Sequence, residues 1–148
     1  MYLLAKRHYP SSHKLRLYFT VEQEEAPELL TAVKKNGLGD RVVFLGKLSY
    51  ATTLSLYKSA AALLFPSTIE TLGLPLIEAA SFGLPIIAAD VEYAREVLEG
   101  YKGVVYVQAN NAKAWAQAIE QLVDYAGKRY PSFSLNGKAG WKEFFSLF

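Results

Sequence analysis

The sequence predicts an α/β domain: a parallel, Rossmann-like sheet with helices on both faces. Short apolar runs at residues 15–20, 41–45, 61–65, 85–89 and 103–107 read as strands, most of them apolar throughout. Stretches of helical periodicity alternate with them, so each strand is expected to reach the next through a right-handed crossover. A chain of 148 residues that is 51% hydrophobic is long enough for one domain with a real core.

The elements follow in order. Residues 2–8 read as the end of an amphipathic helix, closed by Pro10 and a turn at Ser11 and Ser12. Residues 15–20 (LRLYFT) are a strand. Residues 22–36 begin acidic, end in Lys34 and Lys35 and stop at Gly37; that charge order complements a helix dipole. Residues 41–45 (RVVFL) form a buried strand ended by Gly46. Ser49 caps a helix running to Ala60, with Leu54, Leu56 and Tyr57 available for packing. Residues 61–65 (AALLF) are a buried strand, broken by Pro66, Ser67 and Thr68. A helix runs from about Leu76 to Phe82, where Gly83 and Pro85 stop it. Residues 85–89 are the next strand, 91–99 a helix and 103–107 a strand. Asn110 or Asn111 caps a final helix from Ala112 to about Tyr125, whose Trp115, Ala118, Ile119, Leu122 and Val123 recur at helical spacing.

Global quantities exclude several functions. A net charge of +2 gives no reason to expect a nucleic-acid partner. With no cysteine there is no disulfide framework, thiol nucleophile or cysteine-based zinc site. No apolar run reaches the roughly 18 residues of a spanning helix, and residues 1–10 lack a signal-peptide pattern. There is no internal repeat and no low-complexity segment.

Residues 65–90 (FPSTIETLGLPLIEAASFGLPIIAAD) concentrate the chemistry. A strand end, a glycine-containing loop and a helix N-terminus together present backbone N–H groups and the positive end of a helix dipole, which attract phosphate. A carboxylate one or two turns into the helix can accept hydrogen bonds from adjacent sugar hydroxyls. Glu70 in the loop and Glu78 in the helix therefore suit a ligand that carries both a diphosphate and sugar hydroxyls, a nucleotide sugar. The plain alternative is that Gly73 and Pro75 only shape a turn and Glu78 lies on a solvated helix face. Residues 46–49, 66–75 and the region of Asp90 all fall at carboxyl ends of strands, where open α/β sheets bind their ligands.

The segment closely resembles the donor-binding stretch of the retaining GT4-type glycosyltransferases of the GT-B fold, a large bacterial sugar-transferase family. Its landmarks are all in register: Pro66, Ser67, Glu70, Gly73, Leu74, Pro75, Glu78, Ala79, Gly83, Leu84 and Pro85. A weaker resemblance extends over residues 14–123. The resemblance implies that Glu78 accepts hydrogen bonds from the nucleotide ribose. It makes Glu70 the catalytic carboxylate, contacting hydroxyls of the transferred sugar near its reacting face. Amides around Thr71, Leu72, Gly73 and Leu74 would approach the sugar and phosphates, Ser67 would join the donor-binding set, and Lys47 and Leu48 would accommodate the base. Transfer with retention would run on the donor's front face, the leaving diphosphate helping to deprotonate the acceptor, so charge stabilisation matters more than a protein base. No cofactor or metal is expected beyond the nucleotide-diphosphate sugar itself, and no Asp-x-Asp motif occurs.

The chain departs from the family pattern at its start. The usual opening strand and Gly-Arg…Lys-Gly loop, whose basic residues hold the diphosphate, are not found, and Lys6, Arg7 and Lys14 show no spacing that assigns them the role. The resemblance also implies an N-terminal acceptor domain, which is expected to lie outside these 148 residues. The expectation is a C-terminal domain of a longer transferase: a donor-binding domain over residues 1–125 and a basic, aromatic, helical tail over 126–148, inactive when isolated. Such a sheet would lack the strand normally near its middle.

Asp90 reads as either a crevice residue or a helix cap, Glu96 as a site-facing or ion-paired residue, and His8, His13 and most tyrosines as surface or packing residues. The tail sets Lys128, Arg129, Lys138 and Lys142 among Tyr130, Phe133, Trp141, Phe144, Phe145 and Phe148. Its aromatics are expected to cover an interdomain interface; the second reading is peripheral contact with a membrane surface. The functional expectation is a cytoplasmic transferase, peripheral on the inner face of the cell membrane. It would pass a hexose to a glycan or lipid-linked acceptor in surface polysaccharide synthesis. The alternatives are a stand-alone nucleotide-sugar-binding module and a GT-B-fold sugar-nucleotide epimerase or phosphorylase.

Overall fold

The structure, a computed structural model, describes residues 2–6, 15–124 and 127–133. Six strands, β1 (Tyr2–Lys6), β2 (Leu15–Phe19), β3 (Val42–Phe44), β4 (Ala62–Phe65), β5 (Ile86–Ala89) and β6 (Val104–Val107), form one sheet in the order β3-β2-β1-β4-β5-β6. The helices are α1 (Pro27–Lys35), α2 (Tyr50–Ser59), α3 (Leu74–Ser81), α4 (Glu92–Val97) and α5 (Ala112–Asp124).

The alternating α/β architecture is as the sequence predicts, with one correction. Pairing is parallel between β2 and β3 and along β4, β5 and β6, but β1 is antiparallel to both β2 and β4. Residues 2–6 are therefore a strand and not the end of a helix. YLLA is apolar without helical spacing, and a position between two strands satisfies both edges of its backbone. β1 also fills the middle of the sheet, where a missing strand was expected. Since β1 alone is reversed, the other five strands point their carboxyl ends to the same edge.

Side chains alternate cleanly across the buried strands. Leu63, Phe65, Ile86 and Ala88 face a core completed by Tyr57, Leu76, Ala79, Ala80, Ala94 and Leu98 of the α2–α4 side. Ala62, Leu64, Ile87 and Val107 face the opposite way, onto Ala118, Trp115, Ile119 and Leu122 of α5. This period of two is what lets one apolar run serve two layers. β3 is only half-buried, not buried as expected, because it is an edge strand.

Local sequence sets the boundaries. The helix expected over 22–36 is split at Ala26 because Pro27 can open a helix but restricts the residue before it. A single 3-10 turn, Gln23–Glu25, precedes it, and the Glu22 amide donates to Glu25 Oε2 at 3.3 Å. α3 starts at Leu74 rather than Leu76: Gly73 takes the left-handed conformation (φ 59) as its N-cap, and Pro75 occupies the first turn, where its lost N–H costs nothing. Ser49 caps α2 by accepting from the Thr52 amide at 3.2 Å, and Asn111 caps α5 by accepting from the Ala114 amide at 3.0 Å.

Residues 127–133 contain no helix and lie against the domain itself. The Tyr130 amide donates to the Gly83 carbonyl at 2.9 Å and the Phe133 amide to the Ala80 carbonyl at 3.0 Å. Both rings meet Tyr101 edge-on, with centroids 6.1 and 5.7 Å away. Arg129 Nη2 reaches the carbonyls of Tyr57, Lys58 and Ala60 at 3.4, 2.9 and 2.8 Å, closing the C-terminus of α2. Tyr130 and Phe133 therefore complete this domain's own core rather than wait for another domain. Arg7, His8, His13 and Lys14, and the expected tail features beyond Phe133, lie outside the described residues.

Candidate functional site

The site is built at the carboxyl edge of the sheet, where β4 gives way to the loop 66–73 and then to α3. Buried Leu63, Leu64 and Phe65 anchor the loop's start, and fully buried Leu76, Ala79 and Ala80 anchor the helix that ends it. Between these anchors Glu70 and Thr71 are open to solvent, Leu72 is half-buried, Gly73 is buried and Leu74 is exposed. Ile69, 86% exposed, projects beside Glu70 with no core to enter.

Two hydroxyls hold this loop in shape. Ser67 Oγ donates to the Ile69 carbonyl at 3.0 Å, so this expected donor-binding residue is engaged in its own turn. Tyr93 of α4 donates to the Ser67 carbonyl at 2.6 Å. Its ring also stands beside Gly73, where an added Cβ would lie 3.7 Å from it. Burial raises the Tyr93 pKa; its bond to Ser67 opposes that, and the Glu70 charge adds to it. Glu70 and Tyr93 thus share one electrostatic neighbourhood.

Glu78 lies in the second turn of α3, half-buried. Tyr57 of α2, with no exposed surface, donates its hydroxyl to Glu78 Oε2 at 3.2 Å. Burial pushes the Glu78 carboxyl up from its ordinary value, and the Tyr57 hydrogen bond partly offsets this by favouring the carboxylate. The Tyr57 phenol is pushed far up, by burial first and then by the Glu78 charge and their hydrogen bond, with Tyr50 adding to it. Tyr57 is therefore a donor at any ordinary pH.

Lys47 and Leu48 lie on the neighbouring loop, after β3. The Lys47 amide donates to Glu22 Oε1 at 3.1 Å, and its ammonium pairs with Glu25 Oε1 at 3.5 Å, so this loop is tied to the turn that follows β2. The ion pair is exposed and adds little stability. Leu48 is half-buried. The loop leads through Ser49 into α2, and so to Tyr57 and Glu78.

Asp90, at the tip of β5, bonds Arg95 Nε at 2.6 Å, and Arg95 holds its carboxyl below the ordinary value. It makes no cap for α4, whose N-cap is Val91 without a side-chain bond. Arg95 lies over the Tyr106 ring, 4.6 Å from its centroid, which turns the pair toward β6. Glu96 is exposed on α4. Among the described residues no group of three or more acidic or imidazole side chains is placed to hold a metal ion, and no helix is long and apolar enough to cross a membrane.

The structure thus brings Glu78 and Tyr57 together, and separately Glu70, Ser67, Gly73 and Tyr93. Sequence reasoning took the tyrosines mainly as packing residues and missed both of these. The sequence signal is partial: a tyrosine buried on a helix needs a partner for its hydroxyl, but that the partner is Glu78, 21 residues away on α3, follows only from the packing of the two helices.

Comparison with known proteins bears on the same stretch. The family model for glycosyl transferases group 1 matches residues 3–139. The chain is 40% identical over 90 residues to the O-antigen chain mannosyltransferase RfbU of Salmonella typhimurium, covering 59% of this chain and 25% of that protein. It is 30% identical over 106 residues to a D-inositol 3-phosphate glycosyltransferase of Salinispora tropica, covering 72% of this chain and 22% of the relative. The chain therefore spans about a quarter of the length of these curated relatives. Among solved structures, that of TarM superposes with a TM-score of 0.56 at 24% identity, over 68% of this chain and 20% of TarM, a likeness of fold.

Proposed function

The chain belongs to the group 1 glycosyl transferases, and from that premise we propose that this domain binds the nucleotide-diphosphate sugar of a retaining hexosyl transfer. Glu78 takes the ribose hydroxyls with the carboxylate oxygen that Tyr57 leaves open. Glu70, exposed on the loop, takes hydroxyls of the hexose near its reacting carbon. The amides of Thr71, Leu72, Gly73 and Leu74, beside the positive end of α3, meet the diphosphate and sugar. Lys47 and Leu48 border the base. The leaving diphosphate accepts the acceptor's proton as the new bond forms on the same face, with no metal and no dedicated protein base.

One observation carries this reading: Glu70 and Glu78 ride on a single loop-and-helix unit at the carboxyl end of β4, anchored at both ends in the core. The similarity to an O-antigen mannosyltransferase favours a surface glycan or its lipid-linked precursor as acceptor, bound by a second domain. We place the reaction on the cytoplasmic face of the membrane. Calorimetric titration of the chain with UDP, GDP and ADP tests the donor role. Binding of one diphosphate, weakened at least tenfold in Glu78→Ala, is the expected result. Binding that Glu78→Ala leaves unchanged refutes the ribose role, and no binding of any of the three refutes the donor role. Vesicle pelleting with and without residues 134–148, a truncation that keeps the core contacts of residues 127–133, tests the membrane contact, which equal pelleting would rule out.

A further inference from the structure

We propose that Tyr57 is a positioning residue for Glu78, holding one carboxylate oxygen so that the other is presented to the vicinal hydroxyls of a ribose. The inference deepens the donor-binding reading and rests on it. A glutamate has three rotatable bonds, and one that is half-buried on a helix has several rotamers within reach. The 3.2 Å bond from the Tyr57 hydroxyl to Oε2 selects among them.

Tyr57 is suited to that task because it is itself fixed. Its side chain has no exposed surface, and its ring stacks on Phe82, the residue closing α3, with centroids 6.0 Å apart. A carboxylate offers about four acceptor sites, so one phenol leaves capacity for two sugar hydroxyls. The phenol also favours the ionised form against the effect of burial, keeping Glu78 a better acceptor. Among the described residues, Tyr50, seven residues before Tyr57 and so on the same face of α2, also acts on the Tyr57 phenol and raises its pKa.

The test compares the wild type, Tyr57→Phe and Glu78→Ala. Each is titrated with whichever of UDP, GDP or ADP binds and with its 2′-deoxy form, over a range of pH. Tyr57→Phe keeps the ring and its stack on Phe82, and its melting temperature reports whether it is folded. Tyr57→Phe is expected to weaken the ribonucleotide diphosphate roughly three- to tenfold. The 2′-deoxy form should suffer much less, and the acid limb of the binding profile should move to higher pH. Equal losses for both nucleotides without a pH shift mean a merely structural role and overturn the proposal. So does unchanged binding by Tyr57→Phe when Glu78→Ala is impaired, although the ribose role then stands. If Glu78→Ala itself binds normally, the underlying donor reading fails instead. Should Tyr57→Phe not fold, Glu78→Asp replaces it, keeping the charge but withdrawing the carboxylate from the phenol by one methylene. Loss of the 2′-hydroxyl preference supports the proposal, and full retention of that preference overturns it.

Discussion

The two ends of the α2–α3 pair are built on opposite plans. At the strand-tip end the chain is open: Glu70, Thr71, Tyr50 and Ile69 are exposed, and the loop between β4 and α3 is shaped by single hydroxyl bonds from Ser67 and Tyr93. At the other end residues 127–133 lie over the last turns of both helices. There they add two backbone bonds, three contacts from Arg129 and two rings against Tyr101. A binding surface must leave its polar groups available, so it gives little to folding; stability is gathered where no ligand has to enter. Stability and nucleotide affinity should therefore be separable by substitutions at the two ends.

The largest effect is expected at the covered end. Gly83 has a φ of 65°, and a Cβ placed there would press on the Tyr130 carbonyl. Gly83→Ala should incur about 1 kcal/mol for the left-handed backbone and more for displacing the 127–133 segment, about 3 kcal/mol in all. Urea unfolding would measure this. At a temperature where the variant is folded, its nucleotide affinity should match the wild type; a parallel loss of affinity would break the separation.

The mirror-image substitution is Glu78→Ala. A hydrogen bond to a charged group contributes about 1.5–3 kcal/mol, so affinity should fall roughly tenfold to a hundredfold by calorimetry. The melting temperature should change little, since removing a carboxylate kept ionised against its burial offsets the loss of a partner for the buried Tyr57 hydroxyl. A smaller effect is expected from Arg129→Met, which keeps the aliphatic stem but leaves the Tyr57, Lys58 and Ala60 carbonyls without their guanidinium. That should cost about 1–2 kcal/mol of unfolding free energy with unchanged affinity.

Legibility in the sequence follows the same division. The runs 61–65 and 85–89 were readable as strands because both of their faces are buried, and Gly73, Pro75, Gly83 and Pro85 punctuate α3 by backbone constraints that are local. The placement of Glu70 in a loop and Glu78 in a helix was readable for the same reason. What was misread depends on distant partners. YLLAK becomes a strand only because β2 and β4 accept it on either side. Tyr130 and Phe133 looked like exposed interface aromatics because nothing nearby in sequence reveals Tyr101, the ring that receives them. The Tyr57–Glu78 bond spans 21 residues and joins two helices, so neither residue announces it alone.

The smallest expected effect separates the two properties most sharply, because a single substitution should move them in opposite directions. The Glu78 carboxyl has a native pKa above its ordinary value of 4.5, with burial as the main cause. The native state therefore binds this proton more tightly than the unfolded chain, and unfolding stability falls as pH rises from about 4.5 through the native value, then levels off. Glu78→Gln removes that titration while its amide oxygen can still accept from Tyr57. The variant should match the wild type in stability near pH 4, where both carry a neutral side chain, and exceed it at pH 7. Solvent screening of a half-exposed group keeps the gain below about 1 kcal/mol. Nucleotide affinity at pH 7 should fall at the same time, because a neutral amide is a weaker acceptor for sugar hydroxyls than a carboxylate. Melting curves at the two pH values and one titration at pH 7 decide it. A variant that lost both stability and affinity at pH 7 would mean that the charge at Glu78 serves the fold rather than a ligand.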